Sequence, residues 1–306
     1  MYDETLIEIA AEADDQLRSN LARDAPFMAR AVERWLTELF GGLSLSEVFT
    51  RSDAFPMLLI PWWLDGSIGE PNRQLHRRMT YSTMSGYLYI RLIDNLMDAD
   101  APADADLLPA LSFFHLEFVE PYRRTFPPGH RFWSDFRSIW LETAEATMQD
   151  AALAEIDRSD FERFSARKTG AARIPVAAVC HYHDRLHQQP RWNGLVDAFG
   201  RWHQMHNDIF GWRKDLANGS VTYFLSEGRR RRGEEELESW LIDEGFSWGI
   251  GELTRTMFDL KRIATNLQAD SVYAYLEARD VEVRSLAEQI EQDLETVLGL
   301  RKALRS

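Results

Sequence analysis

The chain has 306 residues, 45% of them hydrophobic, and carries a formal net charge of −14 at pH 7. That size and apolar content suit a large globular domain able to bury roughly three quarters of the surface its unfolded form exposes. The acidity argues against nonspecific binding to nucleic acid or to an anionic membrane, although metal ions could still bridge the chain to a diphosphate.

Helical periodicity dominates and strand alternation is nearly absent, which predicts an all-α fold, read here as one domain over 1–306. Residues 3–22 read as an amphipathic helix with Leu6, Ile9, Ala10 and Leu17 on one side, and a second helix over 26–40 stops at Gly41-Gly42. Residues 44–68 read as irregular and apolar, with Pro61-Trp62-Trp63 as either a packed lid over the core or part of a cavity wall. A long helix is expected over 71–98, stopped by Ala101-Pro102. Further helices are expected at 105–125, 130–154, 158–170, 173–187 and 190–217, the last closed by Asn218-Gly219. The pattern breaks within Phe164 to Pro175, at Gly170 and Pro175. Residues 234–246, 248–268, 270–278 and 280–303 complete the helical set. The run Arg229 to Arg232, followed by Gly233 and three glutamates, reads as a solvated loop paired with neighbouring acids, or alternatively as a flap that contacts a diphosphate.

The start of the chain shows neither a basic leader nor a long apolar run, and no stretch approaches the ~20 apolar residues of a membrane span. A cytoplasmic protein without stable membrane insertion is therefore expected. The single cysteine, Cys180, has no internal disulfide partner, which fits a reducing compartment.

Two stretches carry chemistry. The first is His206 to Gly219, in which Asn207, Gly211 and Asp215 follow an i, i+4, i+8 spacing. On a helix that spacing stacks two oxygen-bearing side chains around a residue with no side chain, leaving room for an ion and its waters. The second is Arg91 to Asp100, with Asp94 and Asp98 at i, i+4 near the C-terminal end of the long helix. Carboxylates there oppose the helix dipole, a cost that a bound cation would offset. Mg²⁺ prefers oxygen ligands, keeps several waters and is usually held by one or two carboxylates plus substrate phosphates. Asp94 and Asp98 on one wall, with Asn207 and Asp215 on another, suit that role across a shared cavity. Arg167, Lys168, Arg173, Arg213 and Lys214 are the cations available to balance a diphosphate.

The stretch Asn207 to Asp215 resembles the second metal motif of class I terpene synthases, N-D-x-x-S-x-x-x-E. Asn207 and Asp208 match its opening, Gly211 takes the Ser position and Asp215 the Glu position. Asp94-Asn95-Leu96-Met97-Asp98 is similar to the aspartate-rich D-D-x-x-D motif, with Asn95 replacing the second Asp, and Arg167 to Gly170 resembles the diphosphate-sensing arginine with its helix break. The order of the motifs and their separation of about 110 residues also agree, and the likeness covers about residues 85–225. Three departures stand out. Gly211 lacks a hydroxyl ligand, so water would fill that place. Asp215 is one methylene shorter than Glu. The C-terminal Arg-Tyr pair of many bacterial members is absent, Arg301 being followed by Lys302.

The resemblance implies an antiparallel α-helical bundle with the active site in its core. It also implies three Mg²⁺ ions (Mn²⁺ as a substitute) that ionise an allylic prenyl diphosphate, farnesyl or geranylgeranyl. Cyclisation of the carbocation would follow, with aromatic faces stabilising it. Tyr87, Phe210, Trp62 and Trp63 are the cavity candidates. Two alternatives stay open: a prenyltransferase of the same fold, including squalene- or phytoene-synthase-like head-to-head condensation, and a non-catalytic helical binding protein. A homodimer is compatible with either enzyme reading.

Overall fold

The computed structural model describes residues 2–98 and 104–305, with only the backbone of residues 98, 291 and 293–305. Every regular element among the described residues is helical. The expected stop at Ala101-Pro102 lies outside the described residues. The chain groups into two compact units, residues 1–140 with 172–192, and residues 141–171 with 193–306.

The first unit opens with α1 (Glu4–Asp24), whose first turn is capped by the Asp3 carboxylate accepting from Leu6 N at 2.8 Å. Leu6, Ile9, Ala10, Leu17 and Leu21 form its buried stripe. α2 (Pro26–Phe40) starts on a proline, whose missing N–H is not needed there, and ends at Gly41 with φ +61°, a left-handed conformation that favours glycine.

The segment expected to be irregular, 44–68, instead holds two helices. α3 (Leu45–Thr50) is set by a capping box between Ser44 and Glu47, and α4 (Leu59–Ile68) carries Pro61 in its first turn. Six of the ten residues of α4 are buried, so it has no broad polar face to produce an amphipathic period. α5 (Arg73–Asp98) packs against α1 and α6 (Ala110–Arg123). Gly86 on α5 sits against the Phe118 ring of α6, where an added Cβ would come within 2.8 Å. The single helix expected over 105–125 is divided, because Pro109 follows a 3-10 turn at Ala105–Leu107 and begins a new helix.

α7 (Phe132–Ala151) and α8 (Arg158–Lys168) follow, the latter started by an Asp157–Asp160 capping box. A 3-10 turn, Gly170–Ala172, leads into α9 (Arg173–Tyr182), which ends short of the expected 187, with Asp184 just beyond it in a left-handed conformation. α4 packs on α9, and Cys180 of α9 is fully buried, its thiol pushed up to about 12 by that burial. Phe114, Phe118, Tyr122, Phe126 and Phe132 supply much of this unit's core.

α10 (Gln189–Ala217) runs 29 residues. α11 (Tyr223–Arg231) is a correction to the sequence reading: Arg229 to Arg231 form the last turn of a helix, where cations complement the dipole, and are not a loop. Arg230 binds Ile156 O at 2.6 Å and pairs with Glu155 and Glu227, while Arg231 pairs with Glu227 at 2.7 Å and lies over Trp248. In place of one helix over 234–246, α12 (Leu237–Trp240) passes through a π-helical turn, Leu241–Gly245, into α13 (Phe246–Leu267). The break expected near 279 is also absent, since α14 (Asp270–Arg305) is continuous and packs on α13. Among the described residues no helix is long and apolar enough to cross a membrane.

Candidate functional site

In the first unit the C-terminal half of α5 carries Tyr87, Arg91 and Asp94 on one face, as the spacing predicts. Burial raises the Tyr87 hydroxyl above its ordinary value, and the charges of Arg91 and Asp94 both reach it, in opposite senses. The Tyr87 ring meets Phe49 edge-on at 5.0 Å and stacks beside Phe40 at 6.5 Å. Asp94 is half-buried. Asp98 is the last residue of α5, and its side chain lies outside the described residues.

Asn95, at the second-aspartate position of the resembled motif, turns inward and is buried. With its amide oriented to satisfy both ends, its nitrogen donates to Arg91 O at 3.2 Å and its oxygen accepts from the Trp35 indole at 3.3 Å. An ionised carboxylate could accept from the indole N–H but could not donate to the carbonyl. This residue therefore ties α5 to α2, while Asp94 on the neighbouring face is half-buried. Trp63 is buried on α4, and Trp62 donates to Asp3 at 3.0 Å with its ring edge-on to His76 at 4.7 Å.

The same unit holds a buried carboxylate that sequence reading did not single out. Asp65, on α4, accepts from Asn72 N at 2.8 Å and meets His76 Nε2 at 2.9 Å. His183 Nε2 lies 2.7 Å from its other oxygen, an ion-pair approach without hydrogen-bond alignment. Burial pushes the Asp65 carboxyl up, but the His76 and Asn72 hydrogen bonds and the two imidazole charges outweigh that and hold it below its ordinary value.

In the second unit α10 carries the other stretch. Asn207 is exposed, Gly211 and Asp215 are half-buried, and an added Cβ at Gly211 would sit 3.7 Å from Asp215 Oδ2, an ordinary contact. Two oxygen donors thus flank an open place with the hard chemistry and room for water that Mg²⁺ takes, so the residues present fit that ion. Among the described residues no three His, Cys, Asp or Glu side chains gather to hold a metal. A stripe of this kind would need substrate oxygens to complete an octahedral shell. Phe210 lies between His206, at 4.7 Å, and Phe246, at 6.1 Å.

The cationic candidates differ from one another. Arg167 is exposed at the end of α8 and has no hydrogen bond or ion pair among the described residues. Lys168 pairs with Asp150 at 2.7 Å. Arg213 lies over the Trp212 ring, Lys214 is exposed, and Arg173, in the first unit, begins α9. The break after Lys168 is held close to α10 by Gly200, where a Cβ would come 2.2 Å from Thr169 Oγ1 and 3.0 Å from Ser165 O. Glycine is required at that approach for want of space rather than for its backbone freedom.

Asp208 matches the opening of the resembled motif, and sequence reading gives it no role of its own. It points away from Asn207 into the unit and is buried. It accepts from Gln204 Nε2 at 2.7 Å and from Tyr223 N, the first residue of α11, at 3.2 Å. Thr222 takes Leu225 N at 3.2 Å, so the two side chains together cap α11. Burial pushes the Asp208 carboxyl up to about 7; Gln204 opposes this and the Asp215 charge adds to it. Nothing local signals this role, because the partner N–H lies fifteen residues away across the Asn218-Gly219 turn.

No protein-family model matches the chain, and no curated protein matches it.

Proposed function

We propose that the chain is a class I terpene synthase that ionises farnesyl or geranylgeranyl diphosphate with Mg²⁺, cyclises the resulting cation and releases diphosphate. The observation that carries this reading is the α10 stripe, two oxygen donors around an open glycine position. Asp94 at the end of a long helix and an uncompensated Arg167 at a helix break support it.

In this reading Asp94 and Asp98 of the first unit, and Asn207 and Asp215 of the second, would serve as metal ligands. When bound, the metal supplies Lewis-acid stabilisation of the departing diphosphate. Arg167 pairs with the diphosphate oxygens, aided by Lys168, Arg173, Arg213 and Lys214, and Arg suits that task through its planar fork. Phe210, in the same unit as Asn207 and Asp215, would offer an aromatic face to a cation from which water is excluded.

The test is incubation of the chain and Mg²⁺ with geranyl, farnesyl and geranylgeranyl diphosphate singly, followed by analysis of the organic extract. Cyclic hydrocarbons or alcohols from one substrate are expected, and both Asp94→Ala and Asn207→Ala should abolish them while helical content persists. Product that forms only with a second substrate would assign transfer or head-to-head condensation instead. Absence of diphosphate release under every condition would leave a binding protein.

A further inference from the structure

The second unit contains a cleft of about 370 Å³ that uses a different face of α10. Ala198, Arg201 and Met205 line it. At 3.6 residues per turn their stripe lies about a third of a turn from Asn207, Gly211 and Asp215. The floor is apolar and buried: Phe161 of α8, Ala198 and Met205 of α10, and Tyr223 of α11, with the Phe161 and Tyr223 rings stacked at 4.7 Å. Ala198 contributes only a methyl group to the lining.

The rim is charged and mostly paired. Arg158 and Arg255 both bind Glu252 at 2.9 Å. Burial raises the Glu252 carboxyl, but the hydrogen bonds from Arg255 and Arg158 outweigh it, so that carboxylate stays ionised and is spent on two guanidiniums. Glu162 and Asp259 stand 3.9 and 3.8 Å from Arg158 and Arg255. Arg201 alone among the arginines of this cleft has no hydrogen bond or ion pair among the described residues, although it is half-buried. A partly desolvated guanidinium with five donors and no acceptor is costly to leave unmatched, the more so in a chain of net charge −14 where carboxylates are plentiful.

The geometry points to a second ligand site, in which this cleft binds a small organic monocarboxylate with a flat apolar body. The carboxylate pairs with the Arg201 fork and the body lies over Phe161, Tyr223 and Met205. Glu162 and Asp259, loosely held at the rim, set the charge limit, since they repel a dianion such as a phosphate monoester. The three arginines disfavour an amine. The site does not depend on the reaction proposed above and is probed without Mg²⁺ or prenyl diphosphate, so its failure leaves that reading untouched.

The test is calorimetric titration of the full chain with 3-phenylpropionate, 3-phenylpropylamine and inorganic phosphate. Saturable one-to-one binding of the carboxylate alone is expected. Arg201→Gln should weaken it at least tenfold with an unchanged thermal unfolding profile. Arg201→Lys, which keeps the charge without the fork, should also weaken it. Ala198→Leu, which fills the floor, is a second variant and should abolish binding. No saturable binding, equal binding of the amine or phosphate, or undiminished binding in folded Arg201→Gln would each overturn the proposal.

Discussion

Asp65 in the first unit and Asp208 in the second are buried aspartates that tie helix ends together, and the two are driven in opposite directions. Asp65 meets two imidazoles and a backbone N–H, and its carboxyl is held below the ordinary 3.8. Asp208 meets an amide side chain and the N-terminus of α11, and its carboxyl is pushed up to about 7. Both are buried, so burial alone does not decide protonation. The difference lies in the partners: two imidazoles and a backbone N–H outweigh desolvation at Asp65, whereas at Asp208 neutral donors and the Lys168 charge do not outweigh burial and the Asp215 charge. One carboxylate works as the shared acceptor of a histidine cluster and the other as a cap whose charge is poorly tolerated.

Removing each carboxylate tests the contrast most severely. Asp65→Ala leaves the buried His76 imidazole, the half-buried His183 and Asn72 N–H without their shared acceptor and should cost about 3–5 kcal/mol in urea unfolding. A loss below about 1 kcal/mol would show the cluster to be incidental. Asp208→Ala removes one cap from a nine-residue helix and should cost less, about 1–2 kcal/mol, with faster hydrogen exchange at the Tyr223 amide. Asp208→Asn, which keeps an acceptor, should recover most of the loss.

The pH dependence should separate the two sites by sign. A raised folded value means that Asp208 contributes its full stability below its unfolded value near 3.8 and loses it as pH rises through about 7. A lowered value means that the Asp65 contribution is present above 3.8 and is lost as pH falls through its folded value. In metal-free buffer, the stability of the parent chain relative to Asp208→Asn should therefore fall between pH 4 and 7. Relative to Asp65→Asn it should fall only under more acidic conditions. Slopes of the same sign would remove the distinction.

The smallest effect is expected beside Asp208. Gly211→Ser places its Cβ at an ordinary 3.7 Å from Asp215 Oδ2 and should change stability by no more than about 0.5 kcal/mol. If α10 holds Mg²⁺, the added hydroxyl should tighten metal-dependent turnover. A large loss of stability would mean that the place at Gly211 is not open.

The amphipathic helices are legible in sequence because each carries a long apolar stripe, as in α1, α2, α5 and α10, and for α2 and α10 a clear stop follows it. The helices that were missed lacked such a stripe. α3 has six residues, α4 is apolar nearly all round, and the arginines of α11 read as a solvated run although Tyr223 to Gly228 before them are buried. The false break in α14 has a related cause. Arg279 and Asp280 look like a gap in an apolar stripe, yet both are buried, Arg279 paired with Glu282 and Asp280 with Lys261 and Arg284. At the candidate site the sequence exposed the ligand-type residues and their spacing. The partners of Asp65, Asn95 and Asp208 were hidden because each is brought near by tertiary packing or a distant turn.

Cys180 has one further consequence, which concerns handling rather than catalysis. A thiol buried on α9 and pushed up to about 12 presents almost no thiolate to air, metal or alkylating reagent at neutral pH. Intermolecular crosslinking during storage should be negligible without added reductant. Any maleimide uptake then counts the openings of the helix that carries it, making the lone cysteine a native clock for local unfolding.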